Sequence, residues 1–385
     1  MTVLTVITPQ RYSGAERMAV YLADGLTQRG HRIVFACKRN ELLLQELDQR
    51  GIEAHPLPIA GKVNVLSPFL IARLARRIGA DLIHTHLSTA ALWGSIAGKL
   101  AGIPTVAAVH ALNVKTCFRF ADLIATCSEG VREHLLAQGV APEKVQVLYN
   151  GVYPESFDGL PPGAEVRQEL GIDAEAPVIG EVAHLSAKKG QEHLLRATAL
   201  LRERWPDLVC LLVGEGAQRE PLTELAEQLG LGGAVARGAA AAQTQGEAAR
   251  FLGYRHDAPR VMQAMDVVVL PSVAKEGLGV CLIEAAFLGK AVVGSDAPGI
   301  REVLVDSETG LLAPVADAEG LAASIAYLLE DRERAAQMGA RGRERARRLF
   351  TVEAMARRAE ELYRQLLSQH AHRHPHARNS PADLT

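Results

Sequence analysis

The hydrophobic pattern of the chain alternates between short apolar runs and longer stretches with helical periodicity. An apolar run of about four to eight residues between turn residues predicts a buried strand, and alternation with helices predicts a parallel sheet. The candidate strands of the first half are Val3–Ile7, Arg32–Ala36, Leu82–Thr85, Thr105–Val109, Leu123–Thr126 and Val145–Leu148. Those of the second half are Val178–Val182, Val209–Val213, Phe251–Gly253, Val267–Leu270 and Ala291–Gly294. The pattern predicts an α/β protein with two doubly wound, Rossmann-like sheets.

A segment rich in proline and glycine, Gly159-Leu160-Pro161-Pro162-Gly163, separates the two sets of strands. Such residues favour turns, so we expect one domain over residues 1–160, a linker over 161–176 and a second domain over 177–350. A long charged helix is expected over 351–369. The tail, residues 370–385, carries four histidines at alternate positions from His370 to His376 and is predicted to be disordered.

Composition narrows the class of protein. A chain of 385 residues has room for two domains, and its net charge of −2 gives no overall case for nucleic acid. The five cysteines show neither C-x-x-C spacing nor a disulfide framework, which favours buried thiols in a reducing compartment. The N-terminus reads as a strand and not as a signal peptide, and the most apolar stretch is interrupted by Lys99 and Pro104. We expect a cytoplasmic protein.

Two glutamates, Glu276 and Glu284, are separated by seven residues just after the apolar strand Val267–Leu270. The residues from Leu278 to Leu288 are good helix formers, so Gly277, Leu278 and Gly279 would lie in the turn that opens a helix. A helix N-terminus offers unpaired N–H groups and a positive dipole end, and both suit a phosphate. Eight residues of helix rise about 12 Å, which is roughly the length of a nucleotide-sugar from sugar to ribose.

This E-x7-E element resembles the signature of the retaining family-4 glycosyltransferases, which have the GT-B fold. The resemblance extends over nearly the whole chain and implies two Rossmann-like domains that face a central cleft, with the last helix crossing back to the first domain. It implies that Glu276 contacts the transferred sugar and that Glu284 contacts the ribose. A nucleotide-sugar would be a substrate, with UDP or GDP (for example GDP-mannose) as the nucleotide, and no cofactor is expected.

A second element of the family is similar to the segment from Ala183 to Gly190, which runs from a strand into a helix. The resemblance places Lys189 on the lysine that neutralises the donor phosphates. His184 stands where the family usually has an arginine, and a histidine cannot make the bidentate guanidinium–phosphate pair. Phosphate binding is therefore expected to depend more on Lys189 and on the backbone at Leu278 and Gly279.

The turn after the first strand has one glycine, Gly14, and lacks the G-x-G-x-x-G pattern of a dinucleotide site. It resembles the G-G-x-E turn of the family, with Ser13 at the first glycine. The resemblance makes Gly14 a donor-binding candidate and Glu16 a candidate for the acceptor side. His110 ends a strand, where side chains point into the crevice of such a sheet, and the resemblance makes it a catalytic residue beside Glu276. His84 and His86 also end a strand and are candidates for the acceptor side.

Smaller motifs also fit the family. Leu212-Val213-Gly214-Glu215-Gly216 matches its G-x-G turn, and Phe251-Leu252-Gly253-Tyr254-Arg255 resembles the loop that covers the nucleobase, which makes Gly214, Tyr254 and Arg255 donor-binding candidates. Asn150-Gly151-Val152 matches its N-G-V element. The Ala/Gln/Gly-rich stretch Gly238–Arg250 has no counterpart in the family pattern and is expected to be a neutral insertion.

The expected activity is a metal-independent, retaining transfer of a sugar to a hydroxyl acceptor, such as a cell-envelope glycan, a lipopolysaccharide or a glycolipid. No D-x-D metal clamp is present, and no metal ligands are predicted. A predicted amphipathic helix carries a basic face formed by Arg73, Arg76 and Arg77. This face is either a site of peripheral contact with the inner face of a membrane or an ordinary solvent-exposed surface. The alternatives are an epimerase or phosphorylase of the same fold and a non-catalytic nucleotide-binding protein.

Overall fold

The structure, a computed structural model, describes residues 1–10, 14–59, 61, 64–232, 247–274 and 276–373. The chain forms two compact units. Unit 1 consists of Met1–Val152 together with Leu349–Thr385, and unit 2 consists of Tyr153–Arg348.

Unit 1 contains a parallel sheet of seven strands in the order β3-β2-β1-β4-β5-β6-β7. The strands are β1 (Thr2–Ile7), β2 (Arg32–Cys37), β3 (Glu53–Pro56), β4 (Leu82–His86), β5 (Thr105–Val109), β6 (Leu123–Thr126) and β7 (Val145–Val147). The α-helices described in this unit are α1 (Gly14–Gln28), α2 (Glu41–Gln49), α3 (Ser67–Arg77), α4 (Ser88–Ala101), α5 (Glu129–Ala137) and the last helix of the chain, α14 (Val352–Arg373).

The period of two along β1 distributes its side chains to two separate cores. Val3 and Ile7 face a cluster with α1 and α14, whereas Leu4 and Val6 face a cluster with α3 and α4. Helix α14 contributes six buried apolar or aromatic side chains to the first cluster, from Met355 to Leu366. At about 1.5–3 kcal/mol for each large side chain buried, these contacts hold α14 firmly to unit 1.

Unit 2 contains a parallel sheet of six strands in the order β10-β9-β8-β11-β12-β13. The strands are β8 (Val178–Val182), β9 (Val209–Val213), β10 (Ala249–Gly253), β11 (Val267–Leu270), β12 (Ala291–Ser295) and β13 (Leu311–Ala313). The α-helices described in this unit are α6 (Gly163–Glu169), α7 (Gln191–Arg202), α8 (Arg219–Gln228), α9 (Ala258–Gln263), α10 (Val280–Phe287), α11 (Pro298–Val303), α12 (Ala318–Leu329) and α13 (Arg332–Leu349).

Three expected boundaries differ from the structure. The division between the units falls at Val152 and Tyr153, so the expected linker 161–176 lies inside unit 2, where α6 forms directly after Pro162. Proline and glycine are well tolerated at a helix start, which explains why the same residues resemble a linker. The last helix extends to Arg373, four residues past its expected end, and residues 374–385 lie outside the described residues.

The expected insertion Gly238–Arg250 also differs at its end. Ala249 and Arg250 belong to β10, and the buried Arg250 guanidinium donates to the carbonyl of Leu170 at 2.5 Å. Residues 238–246, which make up most of this stretch, lie outside the described residues. Within the described ranges, no helix combines the length and the apolar composition that crossing a membrane requires.

Candidate active site

Four loops of unit 2 meet at the carboxyl ends of β8, β9, β11 and β12. Gly190 has a φ of +76°, and a Cβ there would lie 1.9 Å from the carbonyl oxygen of Pro271. Gly214 has a φ of +145°, and a Cβ there would lie 1.9 Å from the carbonyl oxygen of Ala183. Only glycine allows the loops after β8, β9 and β11 to approach so closely. The predicted motifs therefore come together at one edge of one sheet.

Lys189 and Glu276 form an ion pair at this edge. Lys189 Nζ lies 2.5 Å from Glu276 Oε2, and the two side chains are 26% and 14% exposed. Ser272 Oγ donates to the same oxygen at 2.9 Å, and the Gly277 amide donates to Oε1 at 3.2 Å. Burial alone would lower the pKa of Lys189, but the acidic groups around it, Glu276 foremost, together outweigh burial and hold the pKa above its ordinary value. The ammonium group is therefore charged at neutral pH and already oriented by a carboxylate.

A third ionisable group, Glu181, lies beneath this pair on the central strand β8. It is 1% exposed, and neither carboxyl oxygen has a hydrogen bond of normal geometry within the described residues, although the Gln191 side chain is near. Burial raises the pKa of Glu181 well above its usual value, Lys189 opposes this shift, and Glu276 adds to it. The carboxyl group is thus predominantly protonated, and the site gains no second negative charge from it.

Helix α10 begins four residues after Glu276. Gly279 adopts a φ of +68° and precedes the first helical residue, Val280, so the helix opens two residues later than expected from Leu278. Leu278 is buried, and Gly277 lies within 3 Å of a Cβ built on Gly299, where the next loop closes on the turn. Glu284 is 7% exposed on this helix. Glu276 precedes the helix and Glu284 is its fifth residue, so the rise expected for eight helical residues does not apply between them, and the role of Glu284 at the ribose stays a prediction.

The other donor-side candidates lie on the same edge but are less enclosed. His184 is exposed, and its Cε1 lies 2.9 Å from a Cβ built on Gly216 in the turn after β9. Tyr254 is 66% exposed and makes an edge contact with His256 at 4.9 Å between ring centroids. Arg255 makes two hydrogen bonds of 2.7 Å to Asp257. This guanidinium is therefore engaged with a carboxylate in the structure.

In unit 1, His110 follows β5 and contacts a histidine of the neighbouring strand. His110 Nε2 lies 3.1 Å from His86 Nδ1, and the two rings stack with centroids 5.4 Å apart. Burial lowers the pKa of His110 to about 4, and the neighbouring Asn150 side chain opposes the shift. Burial also lowers the pKa of His86 well below its usual value. Both imidazoles are therefore neutral at physiological pH.

His84 lies deeper in the same unit. Its ring centroid is 4.4 Å from that of His86, and its Nδ1 is 2.6 Å from the hydroxyl of Tyr363 on α14. His84 and His86 are 1% and 2% exposed, so the structure places both side chains in the interior and not on the surface expected of the acceptor side. Within the described residues, no group of three or more His, Cys, Asp or Glu side chains has the arrangement of a metal site.

The turn after β1 is only partly described, because residues 11–13 lie outside the described residues. Gly14 is the first residue of α1 and is exposed, and a Cβ there would meet no atom within 4 Å. Glu16, two residues later, is 3% exposed. The element Asn150-Gly151-Val152 runs beside the start of α14, where a Cβ on Gly151 would lie 2.3 Å from the carbonyl oxygen of Thr351.

Comparison with known proteins identifies the family. The model described as Glycosyltransferase Family 4 matches residues 12–156, and the model described as Glycosyl transferases group 1 matches residues 164–345. The alpha-maltose-1-phosphate synthase of Mycolicibacterium smegmatis is 30% identical over 346 residues, which cover 81% of this chain and 87% of that protein. The chain belongs to glycosyltransferase family 4.

Other members support the assignment. The phosphatidyl-myo-inositol mannosyltransferase of Mycolicibacterium smegmatis is 30% identical over 361 residues, which cover 87% of this chain and 86% of that protein. The crystal structure of Anabaena HepE in complex with UDP-glucose matches with a TM-score of 0.81 and 25% identity, and the match covers 95% of this chain and all of that one. The predicted GT-B fold of this glycosyltransferase is confirmed.

Two residues of this glycosyltransferase were missed from the sequence. Glu181 is a single charged residue inside the apolar run Val178–Val182. A charged residue in an otherwise apolar strand is the sequence signal that could have marked this position as functional. Tyr363 is one aromatic residue on the apolar stripe of a long helix, and its hydrogen bond to His84 joins residues far apart in sequence. Sequence periodicity places Tyr363 in the core but gives it no partner.

Proposed function

We propose that this glycosyltransferase moves a sugar from a UDP- or GDP-linked donor to a hydroxyl acceptor, with retention of the anomeric configuration and without a metal ion. The observation that carries the proposal is the Lys189–Glu276 pair, with its 2.5 Å contact at the opening of α10. A cation and a helix N-terminus next to each other suit a diphosphate. The adjacent carboxylate suits the hydroxyl groups of a sugar.

The donor reorganises this pair when it binds. In the structure, Lys189 is engaged with Glu276, so a diphosphate that takes one of the Nζ hydrogens releases Glu276, wholly or in part, to accept from the sugar hydroxyls. Ser272 and the Gly277 amide continue to orient the carboxylate. Glu284 accepts from the ribose hydroxyls. His184, Gly214, Tyr254 and Arg255 complete the donor side in this proposal.

The chemistry needs no protein nucleophile. The bond between the anomeric carbon and the diphosphate oxygen breaks, and the acceptor oxygen bonds to the same face of that carbon. The acceptor proton passes to the departing diphosphate oxygen. Lys189 and the N-terminus of α10 stabilise the charge on the diphosphate, which is the role that a divalent ion has in other transferases. Glu276 and His110 orient the transferred sugar.

The relatives and one surface support the proposed acceptor class. A phosphatidyl-myo-inositol mannosyltransferase and a lipopolysaccharide core glycosyltransferase are among them, so we infer a cell-envelope glycan, lipopolysaccharide or glycolipid acceptor. Helix α3 presents Phe69 and the preceding Leu66, 60% and 65% exposed, close in sequence to Arg73 and Arg77. This composition suits peripheral binding to an anionic membrane surface. Sedimentation with anionic and neutral vesicles tests it, and equal binding to both would refute it.

One experiment tests the proposed reaction. A panel of UDP- and GDP-sugars is screened for hydrolysis without acceptor, and the active donor is then used with wild type and Glu276→Ala. We expect turnover to fall about 100-fold or more in the variant. Affinity for the nucleoside diphosphate should not fall, because the substitution leaves Lys189 free for the phosphates.

The stereochemistry gives an independent readout. Proton NMR of the product should show the anomeric configuration of the donor. An inverted product would contradict the retaining mechanism, and full turnover in Glu276→Ala would contradict the assignment of this residue. Binding of UDP or GDP without turnover of any nucleotide-sugar would favour the second candidate, a non-catalytic nucleotide-binding protein.

A further inference from the structure

A cavity of about 640 Å³ opens at the amino ends of the strands of unit 2. The segments that precede β8, β9, β11 and β12 line it, together with the end of α12 and the start of α13. The donor site lies at the carboxyl ends of the same strands. Strands β8 and β9 have five residues each, and five residues of strand span about 16 Å. A single sugar unit therefore cannot occupy both places.

Part of the cavity lining is apolar and firmly held. Trp205, in the loop before β9, lines the cavity together with Pro206 and with Leu328 of α12. The indole is half-buried and packs against the core of unit 2. The guanidinium carbon of Arg204 lies 4.7 Å from its ring centroid. A large aromatic side chain fixed in this way offers a rigid apolar surface to a ligand.

The charged part of the lining is mixed in sign. Four carboxylates and three cations line the cavity, namely Asp173, Glu175, Asp207 and Asp266 together with Arg204, Lys290 and Arg332. Some of these groups are already engaged, since Asp266 pairs with Arg167 at 2.9 Å and Arg204 pairs with Glu330. The exposed carboxylate of Asp207, in contrast, has no partner within the described residues. It is an acceptor available to a ligand.

Lys290, which directly precedes β12, provides donors in the same cavity. Its ammonium group donates to the carbonyl of Gln263 at 2.7 Å, which is its one hydrogen bond within the described part of the chain. Burial lowers the pKa of Lys290 to about 8, so the group is still mostly charged at neutral pH. A half-buried ammonium with unused N–H donors gains free energy from an additional oxygen partner.

This combination of groups selects a class of ligand. A strongly anionic ligand meets the four carboxylates, and a cationic ligand meets the three cations. A neutral pyranose has hydroxyl groups that both donate and accept, and C–H faces that pack on aromatic and aliphatic side chains. The cavity volume lies in the range of about 300–1,000 Å³ that is usual for small-molecule sites.

We propose that this cavity is a second carbohydrate site, which binds a neutral sugar unit of a glycan and does not react with it. Asp207 accepts from the hydroxyl groups of the sugar, Lys290 donates to them, and the sugar ring packs on Trp205. The inference goes beyond the proposed function, because it concerns the edge of unit 2 opposite the donor site. A glycan held here stays attached to the enzyme between transfers.

Fluorescence of Trp205 provides the test. The full-length protein carrying Trp93→Phe has Trp205 as its one tryptophan and is titrated with glucose, mannose, galactose, N-acetylglucosamine and maltotriose. Inorganic phosphate and spermidine are the anionic and cationic probes. We expect a saturable change with at least one neutral sugar and none with phosphate or spermidine. Saturation-transfer NMR on the same samples detects binding that leaves the fluorescence unchanged.

Variants locate the bound sugar. Asp207→Ala and Lys290→Met should each weaken sugar binding by roughly tenfold, because each removes a charged hydrogen-bonding partner. Glu203→Gln is the matched control, since Glu203 is exposed one residue before Arg204 and does not line the cavity. Lys189→Ala, at the opposite edge of the sheet, should leave sugar binding unchanged. If Lys290→Met does not fold, Asp207→Ala carries the test, because that side chain is exposed.

Three results would overturn the inference: no binding of any neutral sugar, saturable binding of phosphate or spermidine in place of sugars, or wild-type sugar binding in the folded cavity variants. Sugar binding that is lost in Lys189→Ala and kept in Asp207→Ala would place the sugar at the donor site, which also contradicts it. If sugars bind as expected while no nucleotide-sugar is turned over, the proposed function fails and the assignment of the cavity stands.

Discussion

Replacement of Glu181 by glutamine makes the energetic consequence of a buried carboxyl group measurable. The native pKa of Glu181 lies above that of the unfolded chain, because burial disfavours the carboxylate. Between these two values the folded protein binds a proton that the unfolded chain has lost. The free energy of unfolding contributed by this group is therefore fully present below the unfolded pKa and is lost as pH rises toward the native pKa.

The magnitude follows from the slope of this linkage. From about pH 4.3, the ordinary glutamate value, each additional pH unit costs wild-type unit 2 about 1.4 kcal/mol until the native pKa is reached. Glu181→Gln has nearly the same shape and no proton to lose, so this slope disappears. The glutamine amide differs from the carboxyl group in its hydrogen bonds, and this difference changes the free energy of unfolding by an amount that does not depend on pH. We expect the stability of the variant relative to wild type to grow steadily from mildly acidic to neutral pH.

Tryptophan fluorescence gives an assay for unit 2 alone. The sequence has two tryptophans, Trp93 in unit 1 and Trp205 in unit 2, so Trp93→Phe provides a background in which Trp205 reports the unfolding of unit 2. Urea unfolding is compared at several pH values between about 4.5 and 8.5. Glu227→Gln, an exposed glutamate on α8, is the control and should follow wild type. Parallel curves for wild type and Glu181→Gln would refute a protonated Glu181.

Two predictions concern the donor site. Lys189→Ala and Glu284→Ala should each weaken binding of UDP or GDP by about 1.5–3 kcal/mol, the range for hydrogen bonds to charged groups. Calorimetric titration measures the affinity, and Lys188→Ala, a substitution of the exposed neighbour, is the control. Unchanged affinity in both variants would contradict the assignment. Turnover of the nucleotide-sugar should continue in EDTA, because in the proposed reaction Lys189 and the N-terminus of α10 stabilise the leaving diphosphate. Activity that is lost on chelation and restored by Mg²⁺ or Mn²⁺ would disprove metal independence.

The central strands were predictable from the sequence, whereas two of the four edge strands were not. Each of the eleven expected strands is present, with small differences at the ends, because strands buried on both faces have continuous apolar runs. The two strands that were missed, Glu53–Pro56 and Leu311–Ala313, are the outer strands β3 and β13. Every residue of β3 is at least partly exposed, so its sequence carries no apolar run. Its pairing with β2 comes from tertiary structure.

The site was predictable as a set of loops but not as a set of contacts. The E-x7-E element pointed to Glu276 and the resemblance to the family pointed to Lys189, and both follow strands whose carboxyl ends lie at one edge of a parallel sheet. The two side chains form an ion pair because the loops after β8 and β11 approach each other closely at Gly190. Spacing along the chain cannot show this approach. The partnership of His84 with Tyr363 depends likewise on the docking of the last helix on unit 1.

The two units contribute chemically different groups, and the difference suits the proposed reaction. Unit 2 offers a charged lysine for the diphosphate, and its buried Glu181 stays neutral, so it adds no charge that would repel the leaving group. Unit 1 offers histidines that burial keeps neutral. In the proposed reaction, a neutral His110 places no positive charge near the anomeric carbon as that carbon becomes electron-deficient. An imidazolium there would raise the energy of the transition state, so a His110 that burial keeps neutral favours the proposed transfer.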